Sequence, residues 1–445
     1  MEVPPRFCMP ILAVLALAPL SAGQVVERIS IGSGGGEAND YSWHCAVSAD
    51  GTQIAFQSNA DNLGAADTNG VHDVYLRDLG KQTTELISVG LNGQAANGIS
   101  DFPEISADGN RVVFYATASN LVSGDLNAVA DIFVRDRATQ TTTRVSVGVG
   151  GAESNGVSYS PTISGDGRWL AFVSAANNLV ATDVNGLPDI FVHDFQNGQT
   201  YLASTNAAQV TANGASFTPA LSHNGRYLTF RTAANNLVSG DVNGQHDIVW
   251  RDLWTGETEI VSLTDSGTAA NHRSDYPTIS ADGQRIAFRS SATNLIANDQ
   301  NQVADIFVRD RVGATTRRVS ARTAAGAGMG GSGSTGAGAN GLSFDPAISA
   351  DGRFVVYRSE ASNLVRGDSN GIYDVFCHDL KTGITERLSV GDRHQQANGE
   401  SWYPSINADG SLIAFKCYAT NFGVPDSNQH SDIYLRRRQA VYGAQ

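Results

Sequence analysis

One short turn returns through this chain at a fixed interval, and that interval limits what the chain can fold into. Ser-x-Asp-Gly and its close variants put Asp50, Asp108, Asp166, Asn224, Asp282, Asp351 and Asp409 in register, at steps of 58, 58, 58, 58, 69 and 58 residues. A period of this length marks a supersecondary unit that buries its faces only against copies of itself. The long step holds RTAAGAGMGGSGSTGAGAN, whose Gly, Ala and Ser content predicts a flexible loop at about 322–341. There are seven units.

Each unit carries four strand signals. In the second unit PEIS is followed by the Asp108-Gly109 turn, a pair that favours the positive φ of a tight hairpin. RVVFYAT, DIFVRD and TTTRVSVG follow, rich in β-branched and alternating residues. We call these strands A to D. Four antiparallel strands repeated seven times predict an all-β fold, a seven-bladed β-propeller. The last unit stops at DIYLRRR without a strand D, while ERISIG (Glu27 to Gly32) matches the D strands elsewhere. The N-terminal strand is therefore expected to complete the last blade and close the ring.

Residues 1–23 read as a cleavable secretory signal: Arg6, then ILAVLALAPL, then Ser21-Ala22-Gly23. The propeller is expected to occupy 24–445 and to be secreted or periplasmic. The apolar run is too short to span a bilayer. A net charge of −14 argues against nucleic acid, because phosphate binding needs a positive field. The expected mature protein is a monomer whose partner is a protein or a glycan.

The pattern P-x-I-S-x-D-G-x-x-I-A-F-x-S followed by D-I-F-V-x-D resembles the WD40-like β-propeller repeats found in TolB. The resemblance spans essentially the whole mature chain. It implies a propeller that binds proteins, is associated with a peptidase, or cleaves pectate fragments as a lyase. The chain departs from typical members in having Ser-Ala-Asp-Gly for Ser-Pro-Asp-Gly and much longer B–C loops. Fold likeness does not choose among these functions.

In such a blade the D–A and B–C connections share one face. Both are long here and rich in Asn, Gly and Ser, so that face is expected to carry function. The B–C loop repeats Asp-x-Asn-x-x-x-Asp: Asp67, Asn69 and Asp73; Asp125, Asn127 and Asp131; Asp183, Asn185 and Asp189; Asp241, Asn243 and Asp247; Asp299, Asn301 and Asp305; Asp368, Asn370 and Asp374; Asp426, Asn428 and Asp432. The intervening residues vary, so something physical holds these three. Calcium would use their oxygens with backbone carbonyls and water, although a helix-loop-helix calcium loop also needs an oxygen ligand at position 5, here Val71 or its counterparts. Turn chemistry would use the same residues to cap backbone N–H groups. Both readings stand on sequence alone.

Aromatic residues recur just before the strand A proline position: Trp43, Phe102, Tyr159, Phe217, Tyr276, Phe344, Trp402 and Tyr403. Near the propeller axis they would suit a sugar or a peptide; alternatively they fill the wedges between blades. No nucleophile elbow, zinc helix or phosphate loop is present. The expected function is a non-enzymatic binding scaffold, with calcium as the one candidate cofactor. The alternative is an exported polysaccharide-active lyase with a metal at the channel mouth, using His44, His272 or His394. Cys45 and Cys417 lie near the closure, where a disulfide would staple the ring.

Overall fold

The computed structural model describes residues 26–64, 67–322, 338–391, 393–423 and 426–438. The expected signal segment, and most of the Gly/Ala/Ser-rich loop, lie outside these residues.

The hydrogen bonds of blade 1 join strand A (Ser42–Val47), B (Gln53–Ser58), C (Asp73–Asp78) and D (Thr83–Leu86) in that order. The same four-stranded antiparallel sheet follows in blades 2 to 6. Blade 7 takes its A, B and C strands from the C-terminal region and its D strand from Val26–Arg28. That strand pairs Val26 with Arg436, Glu27 with Leu435 and Arg28 with Tyr434. The fold is thus a seven-bladed β-propeller closed by its N-terminal strand, as the repeat count requires.

Neighbouring A strands contact one another all round the ring, that of blade 7 (Ser401–Ile406) meeting that of blade 1. Apolar residues on both faces of B and C pack between adjacent blades, so the core is divided into wedges. One wedge joins Val74 and Leu76 of blade 1 to Val112, Phe114 and Phe133 of blade 2. Within blades, Phe56 stacks on Tyr75 at 5.9 Å, Phe114 on Phe133 at 5.9 Å and Phe172 on Phe191 at 5.8 Å, all fully buried. Burying one such ring contributes about 2 kcal/mol. The A–B turn needs its glycine twice over. Gly51 has φ 72°, and a Cβ there would meet Leu412 of blade 7 at 2.1 Å.

Two local features differ from the sequence reading. Strand D of blade 2 stops at Arg144 rather than continuing to Gly148, because Ser146 turns its hydroxyl onto Asp131 at 2.5 Å and starts the D–A loop. Strand A begins earlier than its isoleucine-serine signal and contains a β-bulge, seen in blade 2 between Asp101 and Glu104.

The expected disulfide is corrected by the structure: Cys45 and Cys417 are free thiols. Cys417 accepts the hydroxyl of Ser401 at 3.1 Å inside blade 7, whereas Cys45 faces the Tyr403 carbonyl at 3.8 Å. The two sulfurs serve different contacts.

Candidate binding face

The repeated B–C loop is built first as a strut. In blade 1 the Asn69 amide donates to Asp73 at 2.5 Å and to the Ala96 carbonyl of the D–A loop at 2.7 Å, while its oxygen accepts Val71 N–H at 2.8 Å. The bond to the D–A carbonyl recurs in all seven blades, ending with Asn428 to Ala38 at 2.6 Å. The second Asp of every blade also accepts a serine hydroxyl from the end of strand D, as Asp189 does from Ser204 at 2.5 Å. Turn and strand-end chemistry therefore explains the Asn and the second Asp wherever they occur.

The first Asp is treated differently from blade to blade, which the sequence reading missed. In blade 2 Arg144, on strand D, lies 3.0 Å from Asp125, 3.5 Å from Asp131 and 2.7 Å from Glu153. Arg318 joins Asp299 and Asp305 at 2.7 and 3.3 Å, and Arg387 joins Asp368 and Asp374 at 2.9 and 3.3 Å. Arg28 contacts Asp432 at 3.0 Å and Glu37 at 2.6 Å. Acidic groups that meet in space within the described residues are Asp125, Asp131 and Glu153, and Glu37, Asp426 and Asp432.

A second constellation surrounds the channel mouth. The bulge gives each A strand one non-glycine residue at positive φ: His44 at 20°, Phe102 at 52°, Ser160 at 51°, Thr218 at 49°, Tyr276 at 51°, Asp345 at 51° and Tyr403 at 51°. Such a conformation costs on the order of 1 kcal/mol per residue, and recurring strain of this kind gathers where function needs a side chain aimed. The His44 ring sits 3.9 Å from that of Phe102 and 4.0 Å from that of Tyr403, in the blades on either side. Phe102 is 40% exposed and Tyr276 45%.

The aromatic residues of the sequence reading thus fall into two registers. Phe102, Tyr276 and Tyr403 occupy the bulge, whereas Trp43, Tyr159, Phe217, Phe344 and Trp402 precede it and are half-buried. The second group meets a cationic arc from strand B. Arg231 lies 4.4 Å from the Phe217 ring centre, Arg289 4.3 Å from Phe344, and Arg358 4.3 Å from Trp402. Lys416 is buried among Trp43, Trp402 and Tyr418, at 5.5, 5.3 and 4.5 Å, and donates to the Tyr418 hydroxyl at 2.9 Å. The same strand B position holds Gln57, Tyr115 and Val173 in blades 1 to 3. Basic side chains therefore occupy this position in four consecutive blades, but Arg231 and Arg289 pair with Asp275 at 2.8 and 3.3 Å and Arg358 pairs with Asp345 at 2.7 Å, which leaves Lys416 as the cation of the arc without a carboxylate among the described residues. Burial, then the nearby Arg358, lowers Lys416 to about 8. Burial, then Lys416 and Arg358, lowers His44 to about 3, so its imidazole is neutral.

The three histidines considered for a metal do not share one environment. His44 is enclosed between rings, whereas His272 and His394 are exposed in loops. Among the described residues none of them belongs to a group of three metal-ligand side chains. A further cavity, about 470 Å³, opens on the opposite face between blades 2 and 3, lined by the A–B and C–D turns and including Arg111, Asp136 and Phe195. It is formed by turns that every blade repeats.

No family model matches the chain, and no curated protein matches it. Solved structures do resemble it. An oligogalacturonate lyase in complex with manganese is 13% identical, with a TM-score of 0.54, covering 94% of this chain and 95% of that one. The β-propeller domain of the Trilobed protease from Pyrococcus furiosus is 12% identical, with a TM-score of 0.50, covering 90% and 94%. TolB from Acinetobacter baumannii is 17% identical, with a TM-score of 0.40, covering 83% and 76%. The likeness is one of fold: the chain shares the β-propeller architecture. No helix among the described residues is long and apolar enough to cross a membrane.

Proposed function

We propose that this chain is an exported, non-enzymatic binding scaffold whose ligand sits at the channel mouth on the long-loop face. The observation that carries the reading is the bulge position. Its strained backbone is the same in every blade, yet its side chains include an imidazole, three aromatic rings, two hydroxyls and a carboxylate. Positions that serve the fold repeat their residue, as the strut Asn does; a position that repeats its geometry and varies its chemistry suits recognition of an asymmetric ligand. The strand B arc adds direction. Acidic groups of the ligand would face Lys416 in blade 7, whose ammonium has no carboxylate partner among the described residues, and its apolar or hydroxyl-bearing parts blades 1 to 3. An acidic oligosaccharide or a carboxylate-rich peptide fits this division, since flat rings bury area with little entropy loss and a charged ammonium pairs with carboxylates. Export rests on the N-terminal leader. Calcium enters this reading only where a blade lacks its own cation.

The test is an array of neutral and acidic oligosaccharides and peptides probed with the mature chain. Selective capture of acidic members, weakened by salt, is expected. Equal capture of neutral and acidic members would contradict it.

A second reading, a lyase acting on an acidic glycan, is favoured by one observation. Lys416, lowered by burial to about 8 and so nearer to a working base at neutral pH, and the neutral imidazole of His44 act on each other at the mouth, a base with a hydrogen-bonding group near it. Ultraviolet absorbance from the double bond left by β-elimination would support it.

A further inference from the structure

Three blades carry an arginine that touches both loop carboxylates, blade 7 has Arg28 on Asp432 and Glu37, and blade 3 has no cation there. Where blades 2, 5, 6 and 7 have Arg144, Arg318, Arg387 and Arg28, blade 3 has Leu202 and blade 4 has Ile260. Blade 1 has Leu86 there, but its strand C partner, Tyr75, donates its hydroxyl to Asp67. The partners of Leu202 and Ile260 are Phe191 and Val249, which donate nothing.

The consequence falls on Asp183. It is only 6% exposed, and its carboxylate has no cation and no side-chain donor, only the weak influence of the Asn185 backbone N–H. Its neighbour Asp189 is fully buried, with one oxygen on Ser204 at 2.5 Å and the other on Asn185 at 2.6 Å. In blade 4 one oxygen of Asp241 is likewise buried and unpartnered beside Asp247. The same loop in blade 2 brings the carboxylate oxygens of Asp125 and Asp131 within 4.8 Å of each other. That spacing lets one positive centre touch both.

We propose that the B–C loop of blade 3 binds a calcium ion between Asp183 and Asp189, in the place a guanidinium fills in three other blades, and that Asp241 and Asp247 of blade 4 do the same. The other five versions of the motif, four with an arginine and one with a tyrosine hydroxyl, need no metal for this purpose. Calcium fits better than magnesium because it takes six to eight oxygens in irregular geometry and accepts water for those the protein does not supply. The ion would act on stability and on the shape of the long-loop face. It is independent of what the mouth binds, so either proposal can fail alone.

The experiment is thermal melting and calorimetric titration of the chelator-treated mature chain with calcium chloride, and with magnesium chloride at equal ionic strength. Calcium is expected to raise the melting temperature by roughly 3 °C per site at a hundred-fold excess over Kd, with two ions bound per chain. The Leu202→Arg/Ile260→Arg variant should lose the response, and Asp183→Asn, which keeps the side-chain shape, should lose one of the two ions. A wild-type melt that is the same in calcium and chelator overturns the proposal. So does an ion count left unchanged by Asp183→Asn.

Discussion

Arg358 holds the carboxylate of Asp345 at 2.7 Å, and both side chains are largely buried at the channel mouth. Asp345 occupies the strained bulge of blade 6, and burial raises its pKa while Arg358 lowers it. Removing the arginine leaves an uncompensated buried charge. Arg358→Met is expected to destabilise the fold by about 3 kcal/mol. Adding Asp345→Asn should restore most of that loss, as a double-mutant cycle in denaturant would measure.

Lys416 has the opposite sign. Among the described residues its ammonium has an aromatic cage and a tyrosine hydroxyl but no carboxylate within ion-pair distance. Its folded pKa, about 8, lies below its ordinary value of 10.5. Between those values the unfolded chain holds more protons, so stability should rise with pH across that window. With solvent screening near the mouth allowed for, the charged lysine costs on the order of 2 kcal/mol at neutral pH. Lys416→Met should therefore melt higher than wild type at pH 7, and the gap should close by pH 10.5.

The loop strut can be tested in blade 1. Asn69→Ala removes the donor to Asp73 and Ala96 and the acceptor for Val71 N–H, and is expected to cost about 2 kcal/mol. Thr68→Ala, at an exposed neighbouring position, should change stability by less than about 0.5 kcal/mol. Chemical denaturation of the two variants separates the strut from the loop as a whole.

Ring closure offers a larger effect. Val26–Arg28 pairs with the outer edge of strand C in blade 7, Ile29 donates to the Ile433 carbonyl at 2.7 Å, and Arg28 also binds Glu37 and Asp432. A chain beginning after Ser30 exposes that edge. It should melt roughly 10 °C lower or more, and a synthetic ERISIG peptide supplied in excess should recover part of the loss.

The repeat made most of this fold legible. Spacing of the Asp-Gly turns gives seven blades, and the match of ERISIG to TTRVSVG places the closing strand in blade 7, where the structure has it. The site was only half legible. Asp-x-Asn-x-x-x-Asp drew attention because it repeats, but repetition is the mark of a structural demand, and Asn69 meets it with backbone partners. The informative signals were differences between blades at fixed positions. Arg144 against Leu202 on strand D, and Val173 against Arg231 on strand B, are visible in the sequence once the register is known. The bulge was harder to find, because the residue with left-handed backbone is His44 in one blade, Phe102, Ser160, Thr218 or Asp345 in others, and none of these types signals positive φ as glycine would. The disulfide expectation failed for a related reason: proximity of two strand ends does not set the direction of two Cβ bonds.

The channel mouth itself is tested most directly by calorimetric titration of the array-selected acidic ligand into wild type, a Phe102→Ala/Tyr276→Ala variant and Tyr201→Ala. Phe102 and Tyr276 are exposed bulge residues of blades 2 and 5, so their loss should leave the fold intact. Tyr201 is equally exposed, but on the outermost strand of blade 3. Binding at the mouth requires affinity to fall at least about ten-fold in the double variant, about 1.4 kcal/mol, and to be unchanged in Tyr201→Ala. Equal affinity for wild type and the double variant would contradict it.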